Sequence, residues 1–285
     1  MGVESLGYVR LTATDIDAWR VFGEDFLGLM RVEGADPDSL YFRIDDFPPR
    51  LVVTPGAEPG LAAMGFEVLN ERDLAKVVAD VEHEGIKVTT GTPAECTERR
   101  VTGFVSFLDP GGNPVELFYG AVLDHVRVRT PLLNGSFVTG DMGLGHVIVT
   151  AEDPKAEFDF YNRVLGFVER NTAGPTYFMG CNARHHTFGV APRPGPGRLV
   201  HIMVEVDNID DVGLALDRAA ELQVPMMNTL GKHTNDQMVS FYVYSPELYA
   251  IEFGWNGLRV EREEPTYEIT EGAFWGHKFT PPPAR

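Results

Sequence analysis

The chain has 285 residues, 44% of them hydrophobic, as expected of a globular protein with one large domain or two ordinary ones. A formal charge of -18 argues against nucleic acid as a partner. No apolar run reaches the roughly 18 residues of a bilayer span, no basic-then-apolar leader opens the chain, and two cysteines, Cys96 and Cys181, cannot build a four-thiolate zinc site or a useful disulfide framework. Together these predict a reduced, cytoplasmic protein away from membranes.

In chain order, a first strand around Gly7-Tyr8-Val9-Arg10-Leu11 leads into an amphipathic helix over residues 15–27, with Ile16, Trp19, Phe22 and Phe26 on one face and Gly28 as its stop. Residues 40–44 and 50–53 read as strands. A second helix over 71–84 turns Leu74, Val77, Val78 and Val81 inward and ends at Gly85. Strands follow at 103–108 and 115–119. Periodicity lapses near 120–140, at Arg129-Thr130-Pro131 and Asn134-Gly135-Ser136. Then comes another strand, Gly145-His146-Val147-Ile148-Val149, with Asp153 as N-cap and Pro154 at the first position of a helix over 154–165. A fourth helix over 208–222 and strands at 239–244 and 250–254 complete the series. The proline-rich tail from Thr280 is expected to fray.

The second half repeats the first. Gly7-Tyr8-Val9 aligns with Gly145-His146-Val147 at an offset of 138, as do Phe26-Leu27-Gly28-Leu29 with Val164-Leu165-Gly166-Phe167 and Glu67-Val68 with Glu205-Val206. Val115-Glu116-Leu117-Phe118 resembles Ile251-Glu252-Phe253 with a small register change. The expectation is an α+β protein of four βαβββ units, two per half, divided into domains 1–133 and 134–285.

The duplication supplies an internal control. His146 faces Tyr8 in the comparison and His201 faces Ala63, whereas Glu252 keeps its counterpart Glu116. Only the second half therefore has two imidazoles and a carboxylate at equivalent strand positions. Two histidines and one carboxylate with open positions form the facial triad of non-haem iron(II) oxygenases. Glu252 also sits in the apolar strand Ala250-Ile251-Glu252-Phe253-Gly254, where an unpaired carboxylate would be costly. The triad does not separate Fe(II) from Mn(II).

The stretches Phe137-Val138-Thr139-Gly140-Asp141-Met142-Gly143-Leu144-Gly145-His146, Cys181-Asn182-Ala183-Arg184-His185-His186-Thr187, Val200-His201-Ile202-Met203-Val204-Glu205-Val206, His233-Thr234-Asn235-Asp236 and Ser240-Phe241-Tyr242 resemble the two-domain type I extradiol dioxygenases of the vicinal oxygen chelate superfamily. The resemblance runs from Leu6 to His277. It implies the vicinal oxygen chelate (glyoxalase-like) fold, a metal-free N-terminal domain, and Fe(II) held by His146, His201 and Glu252. It assigns His186 as the acid–base histidine and His233 and Tyr242 as the other active-site groups. Ile148, Asn235 and Asp236 fall beside the substrate. The implied substrates are O2 and a catechol of the 2,3-dihydroxybiphenyl or 3-alkyl/aryl type, and the implied assembly is a homo-oligomer, up to an octamer. His185 and His186, being adjacent, are expected to point opposite ways on a strand. Trp275 and His277 are expected to close the C-terminus over the core rather than take part in chemistry. Residues 170–179 are shorter than the family pattern, which leaves the size of the catechol open. The rival readings on the same scaffold are a glyoxalase-like metal-dependent isomerase and a metal-free small-molecule-binding protein.

Overall fold

The computed structural model describes residues 2–261 and 266–283. The first half runs β1 (Val3–Ala13), α1 (Ile16–Val21), β2 (Met30–Val32), β3 (Leu40–Arg43), β4 (Leu51–Pro55), β5 (Gly60–Val68), α2 (Glu71–His83), β6 (Thr89–Thr90), α3 (Pro93–Arg99), β7 (Val101–Leu108) and β8 (Pro114–Ala121). The second half runs β9 (His146–Ala151), α4 (Pro154–Arg163), β10 (Val168–Ala173), β11 (Thr176–Gly180), β12 (Phe188–Pro192), β13 (Leu199–Val206), α5 (Ile209–Glu221), β14 (Met226–His233), β15 (Val239–Tyr244) and β16 (Ala250–Trp255). Two short strands follow, β17 (Tyr267–Glu268) and β18 (Ala273–Trp275). Four successive β-α-β-β-β units are thus present, as the repeat requires.

Each unit starts its helix in the same way. Asp15, Asn70, Asp153 and Asn208 accept hydrogen bonds from backbone N–H groups of the first turns of α1, α2, α4 and α5. A cap of this kind contributes about 1 kcal/mol relative to alanine. The first helix is not the continuous α-helix expected over residues 15–27. After Val21 it widens into a π turn, Phe22–Phe26, in which Leu27 N–H reaches back to the Phe22 carbonyl. The wider turn keeps Trp19, Phe22 and Phe26 all buried.

The strands order as β2-β3-β4-β1-β5-β8-β7-β6 in one sheet and β17-β10-β11-β12-β9-β13-β16-β15-β14-β18 in the other. Their registers match residue for residue. Tyr8 pairs with Gly65 and Gly65 with Glu116 in the first sheet; His146 pairs with Met203 and Met203 with Glu252 in the second. Likewise Arg10 pairs with Ala63, and Ile148 with His201. The structural repeat is therefore the sequence repeat, and the change of register before Glu252 is absorbed within the last unit of each half, ahead of β7 and β15.

The halves interlock through reciprocal turns. The β7–β8 turn places Gly111 N–H 2.8 Å from Glu157 Oε2 of α4, and the β15–β16 turn places Glu247 Oε1 2.7 Å from Thr14 N–H at the start of α1. Residues 267–275 then cross the second sheet from edge to edge, pairing with β10 on one side and β14 on the other. The tail is held further than expected. Thr280 N–H donates to the Met227 carbonyl and its own carbonyl accepts from Tyr244. Ala284 and Arg285 lie outside the described residues. Cys96 and Cys181 form no disulfide. Among the described residues, no helix is long and apolar enough to cross a membrane.

Candidate metal centre

In the second sheet, β9, β13, β16, β15 and β14 lie side by side. Directly paired residues share a sheet face, as do residues two apart on one strand. The pairs His146–Met203, Met203–Glu252 and Tyr242–Glu252, with His201 two residues before Met203, therefore put His146, His201, Glu252 and Tyr242 on one face.

On that face His146 Nε2 lies 2.9 Å from His201 Nε2. Glu252 Oε2 is 3.2 Å from the first and 3.4 Å from the second. Three donors about 2.1 Å from one octahedral ion, at right angles to one another, would stand about 3 Å apart, so the group has the dimensions of a facial cap on a single metal. The charge state fits too. Burial lowers His201 to about 3 and holds His186 well below the usual range, so both rings are neutral. Burial alone would raise Glu252, but its contacts with His146 and His233 hold the carboxyl well below its usual range. Ser240 donates to Glu252 Oε1 at 2.6 Å, which leaves Oε2 to face the two histidines.

These groups floor a cavity of about 470 Å³. All nine residues singled out from the sequence line it: His146, Ile148, His186, His201, His233, Asn235, Asp236, Tyr242 and Glu252. His233 Nε2 is 2.8 Å from the Tyr242 hydroxyl, and His233 Nδ1 is 3.0 Å from the Gly272 carbonyl. Burial would lower His233, but the Glu252 carboxylate raises it to about 9, with a smaller contribution from Asp236. Burial also pushes the Tyr242 hydroxyl and the Asp236 carboxyl up from their ordinary values.

His185 and His186 do not sit on a strand. They lie in the irregular segment before β12 with Nδ1 atoms 3.1 Å apart, because the chain kinks there to enter the parallel pairing with β9. The rings stand at 89° to one another, and only His186 reaches the cavity, where its ring lies 4.0 Å from that of His146.

The sequence assigned no site role to the rest of the lining, Ala173, Phe178, Val200, Ile269, Gly272, Ala273 and His277, the last of which it read as closing the C-terminus. Ala173 and Phe178 come from the short segment 170–179, which is a tight hairpin turning at Gly174-Pro175. Ile269, Gly272 and Ala273 come from the crossing segment and His277 from the turn just after it, so His277 lines the cavity as well as closing the C-terminus. No local signal marks these residues, because their placement depends on pairing with distant strands.

The first half shows what fills the equivalent position. Tyr8 donates to Glu116 Oε2 at 2.5 Å, and Arg99 of α3 grips the same carboxylate with Nε at 2.7 Å and Nη2 at 2.6 Å. A fixed guanidinium stands beside the carboxylate, and a phenol replaces one imidazole. The helix α3 that delivers Arg99 has no counterpart between β14 and β15.

Residues 6–56 match the family described as dihydroxybiphenyl dioxygenase BphC D1, and residues 143–253 match the glyoxalase/bleomycin resistance protein/dioxygenase superfamily. The chain is 43% identical to an iron-dependent extradiol dioxygenase of Rhodococcus jostii (strain RHA1), covering 98% of both chains. It is 38% identical to a biphenyl-2,3-diol 1,2-dioxygenase of Paraburkholderia xenovorans (strain LB400), covering 98% of this chain and 96% of that one. The solved structure of BphC, a halotolerant catechol dioxygenase, superimposes with a TM-score of 0.93 at 32% identity, covering 98% and 95% of the two chains. With this similarity over its full length, the chain belongs to the two-domain type I extradiol dioxygenases of the vicinal oxygen chelate superfamily.

Proposed function

We propose that this protein opens the ring of a substituted catechol beside its two hydroxyls, incorporating both atoms of O2 at a mononuclear non-haem Fe(II) site and giving a muconic semialdehyde-type product in aromatic-compound catabolism. The observation that carries the reading is the convergence of His146, His201 and Glu252 to ligand spacing on the floor of a cavity. The name of the 43%-identical relative supports iron over manganese. Bound Fe(II) would supply a Lewis acid and an electron relay between an electron-rich catechol and O2.

The chain's own residues divide the remaining work. His233 and Tyr242 would hydrogen-bond a substrate hydroxyl; the two already share a hydrogen bond beside Glu252. His186 would hold and return a proton during O–O cleavage. Its Nδ1 is engaged by His185, and Asp236 Oδ2 lies 3.9 Å from the same atom, which leaves Nε2 as the free nitrogen. Ile148, Ala173, Phe178 and Ile269 would pack the ring substituent and exclude water, with Asn235 and Asp236 at the polar margin. The volume falls in the range of about 300–1,000 Å³ of small-molecule sites and suits a 2,3-dihydroxybiphenyl or a 3-alkyl/aryl-catechol. Residues 1–133 would serve as the metal-free scaffold domain and 134–285 as the iron-binding domain. A homo-oligomer, up to an octamer, is supported by exposed Phe274, Trp275 and Phe279. The acidic charge and the two cysteines outside any disulfide support a cytoplasmic protein with no nucleic-acid or membrane partner.

The test is direct. Protein purified anaerobically is loaded with Fe(II), given 2,3-dihydroxybiphenyl or 3-methylcatechol, and exposed to air. A yellow product with stoichiometric O2 uptake is expected. No colour with any member of a catechol panel would sink the proposal.

A further inference from the structure

His277 is brought to the cavity at a structural cost. Its own φ is +50°, in the left-handed region that non-glycine residues avoid, and it follows Gly276 at φ +77°. A Cβ on Gly276 would stand 2.1 Å from the Leu230 carbonyl oxygen, and one on Gly231 would stand 2.6 Å from the His277 ring. Lys278 N–H donates to Thr229 Oγ1, and Thr229 N–H donates to the Lys278 carbonyl, so the turn is tied to β14 on the far side of the ring. Two glycines and a strained backbone residue are thus committed to laying one imidazole against another. The His277 and His233 rings stack with centroids 4.0 Å apart and planes 21° apart.

The stack covers one face of the His233 ring, whose other contacts are at its edge. Nε2 of His233 is fixed by Tyr242 and Nδ1 by Gly272, which sets the ring's edge but leaves it free to tilt about the line between those two contacts. His277 is held differently. Both its ring nitrogens are buried, and neither meets hydrogen-bond geometry among the described residues; the Thr229 backbone only nudges its pKa upward against the effect of burial. The ring's contacts are therefore the face it lays on His233 and an edge contact with Tyr242, with centroids 5.6 Å apart and planes at 74°.

We infer that His277 is a positioning residue for His233, fixing the plane of the His233 imidazole so that its Nε2 addresses the substrate oxygen together with Tyr242. This rests on the ring-cleavage reading for its consequence, but the positioning itself belongs to the polypeptide alone. It would act through ring shape and not through its nitrogens.

Two arms test it. In metal-free protein with isotope-labelled histidine, the His233 ring-proton resonance, assigned by its loss in His233→Ala, should be shifted upfield by the neighbouring ring. It should move downfield in His277→Ala and hold its place in His277→Phe. In the Fe(II)-loaded enzyme, His277→Ala should lose about tenfold in kcat, equivalent to about 1.4 kcal/mol, with KM and iron content unchanged. His277→Phe should keep near wild-type kcat, and His233→Ala/His277→Ala should be no slower than His233→Ala alone. The inference is overturned by an unmoved His233 resonance, by full kcat in His277→Ala, by His277→Phe failing as badly as His277→Ala, or by additive losses in the double variant. Wild-type protein that cleaves no catechol would remove the dioxygenase reading and leave the resonance arm to decide the positioning.

Discussion

Ser240→Ala perturbs the metal centre without touching a ligand. The Ser240 hydroxyl is fully buried and donates to Glu252 Oε1 at 2.6 Å, while His233 Nε2 lies farther from that oxygen, at 3.4 Å. Removing it frees the carboxylate to rotate, so that Oε2 no longer faces His146 and His201 at ligand spacing. A hydrogen bond to a charged acceptor contributes about 1.5–3 kcal/mol, and outer partners of ligands are worth about 10–100-fold in metal affinity. Both lead to the same expectation: Fe(II) affinity falls by about 10- to 100-fold, with the fold intact because one oxygen atom is lost from a packed strand. Anaerobic competition between the protein and a calibrated chelator measures it, with the thermal midpoint as control. An affinity within twofold of wild type, with the midpoint unchanged, would refute the argument that Ser240 orients the ligand carboxylate.

Three further outcomes follow from other parts of the molecule. His186→Ala should retain iron and lose about 10²–10⁴-fold in kcat, the usual worth of a positioned acid–base histidine; full activity would remove His186 from the mechanism. Arg99→Ala leaves the Glu116 carboxylate buried without its cation, which should cost about 3–5 kcal/mol in urea unfolding. Arg99→Ala/Glu116→Gln should recover most of that, and wild-type stability in the single variant would contradict the description of the first half. At the domain junction burial, reinforced by Asp109, raises Glu157 to about 10 from the ordinary 4.5. A raised folded pKa contributes stability that is complete below the unfolded pKa and is lost as pH climbs through the folded one. The thermal midpoint of the wild type should therefore fall between about pH 6 and pH 9 more steeply than that of Glu157→Gln; parallel profiles would count against a protonated Glu157.

Much of this was legible in the sequence, because duplication imposes the same pattern twice. The helix cap at Asp153, the helix-stopping glycines and alternating strands are local signals, and the offset of 138 carried the contrast between Tyr8 and His146 into three dimensions with its register intact. What escaped was either masked or non-local. The α3 helix had a readable signature: Thr92 and Glu95 form a capping box around Pro93, but its seven residues carry too few apolar positions to show a period. Arg99, which grips the Glu116 carboxylate in the first half, escaped with it. The crossing segment with His277 has no pattern of its own, since β17 and β18 exist only as edge pairings to β10 and β14. The placement of His185 and His186 on a strand failed because alternation says nothing about where pairing begins.

The central claim is that one half binds a metal and its duplicate does not. Anaerobic Fe(II) titration of the wild type, Glu252→Ala and Glu116→Ala measures it directly. The account predicts one Fe(II) per chain in the wild type, one in Glu116→Ala, and none retained at equivalent concentration in Glu252→Ala. Two ions per chain, or one that survives the loss of Glu252 but not of Glu116, would contradict it.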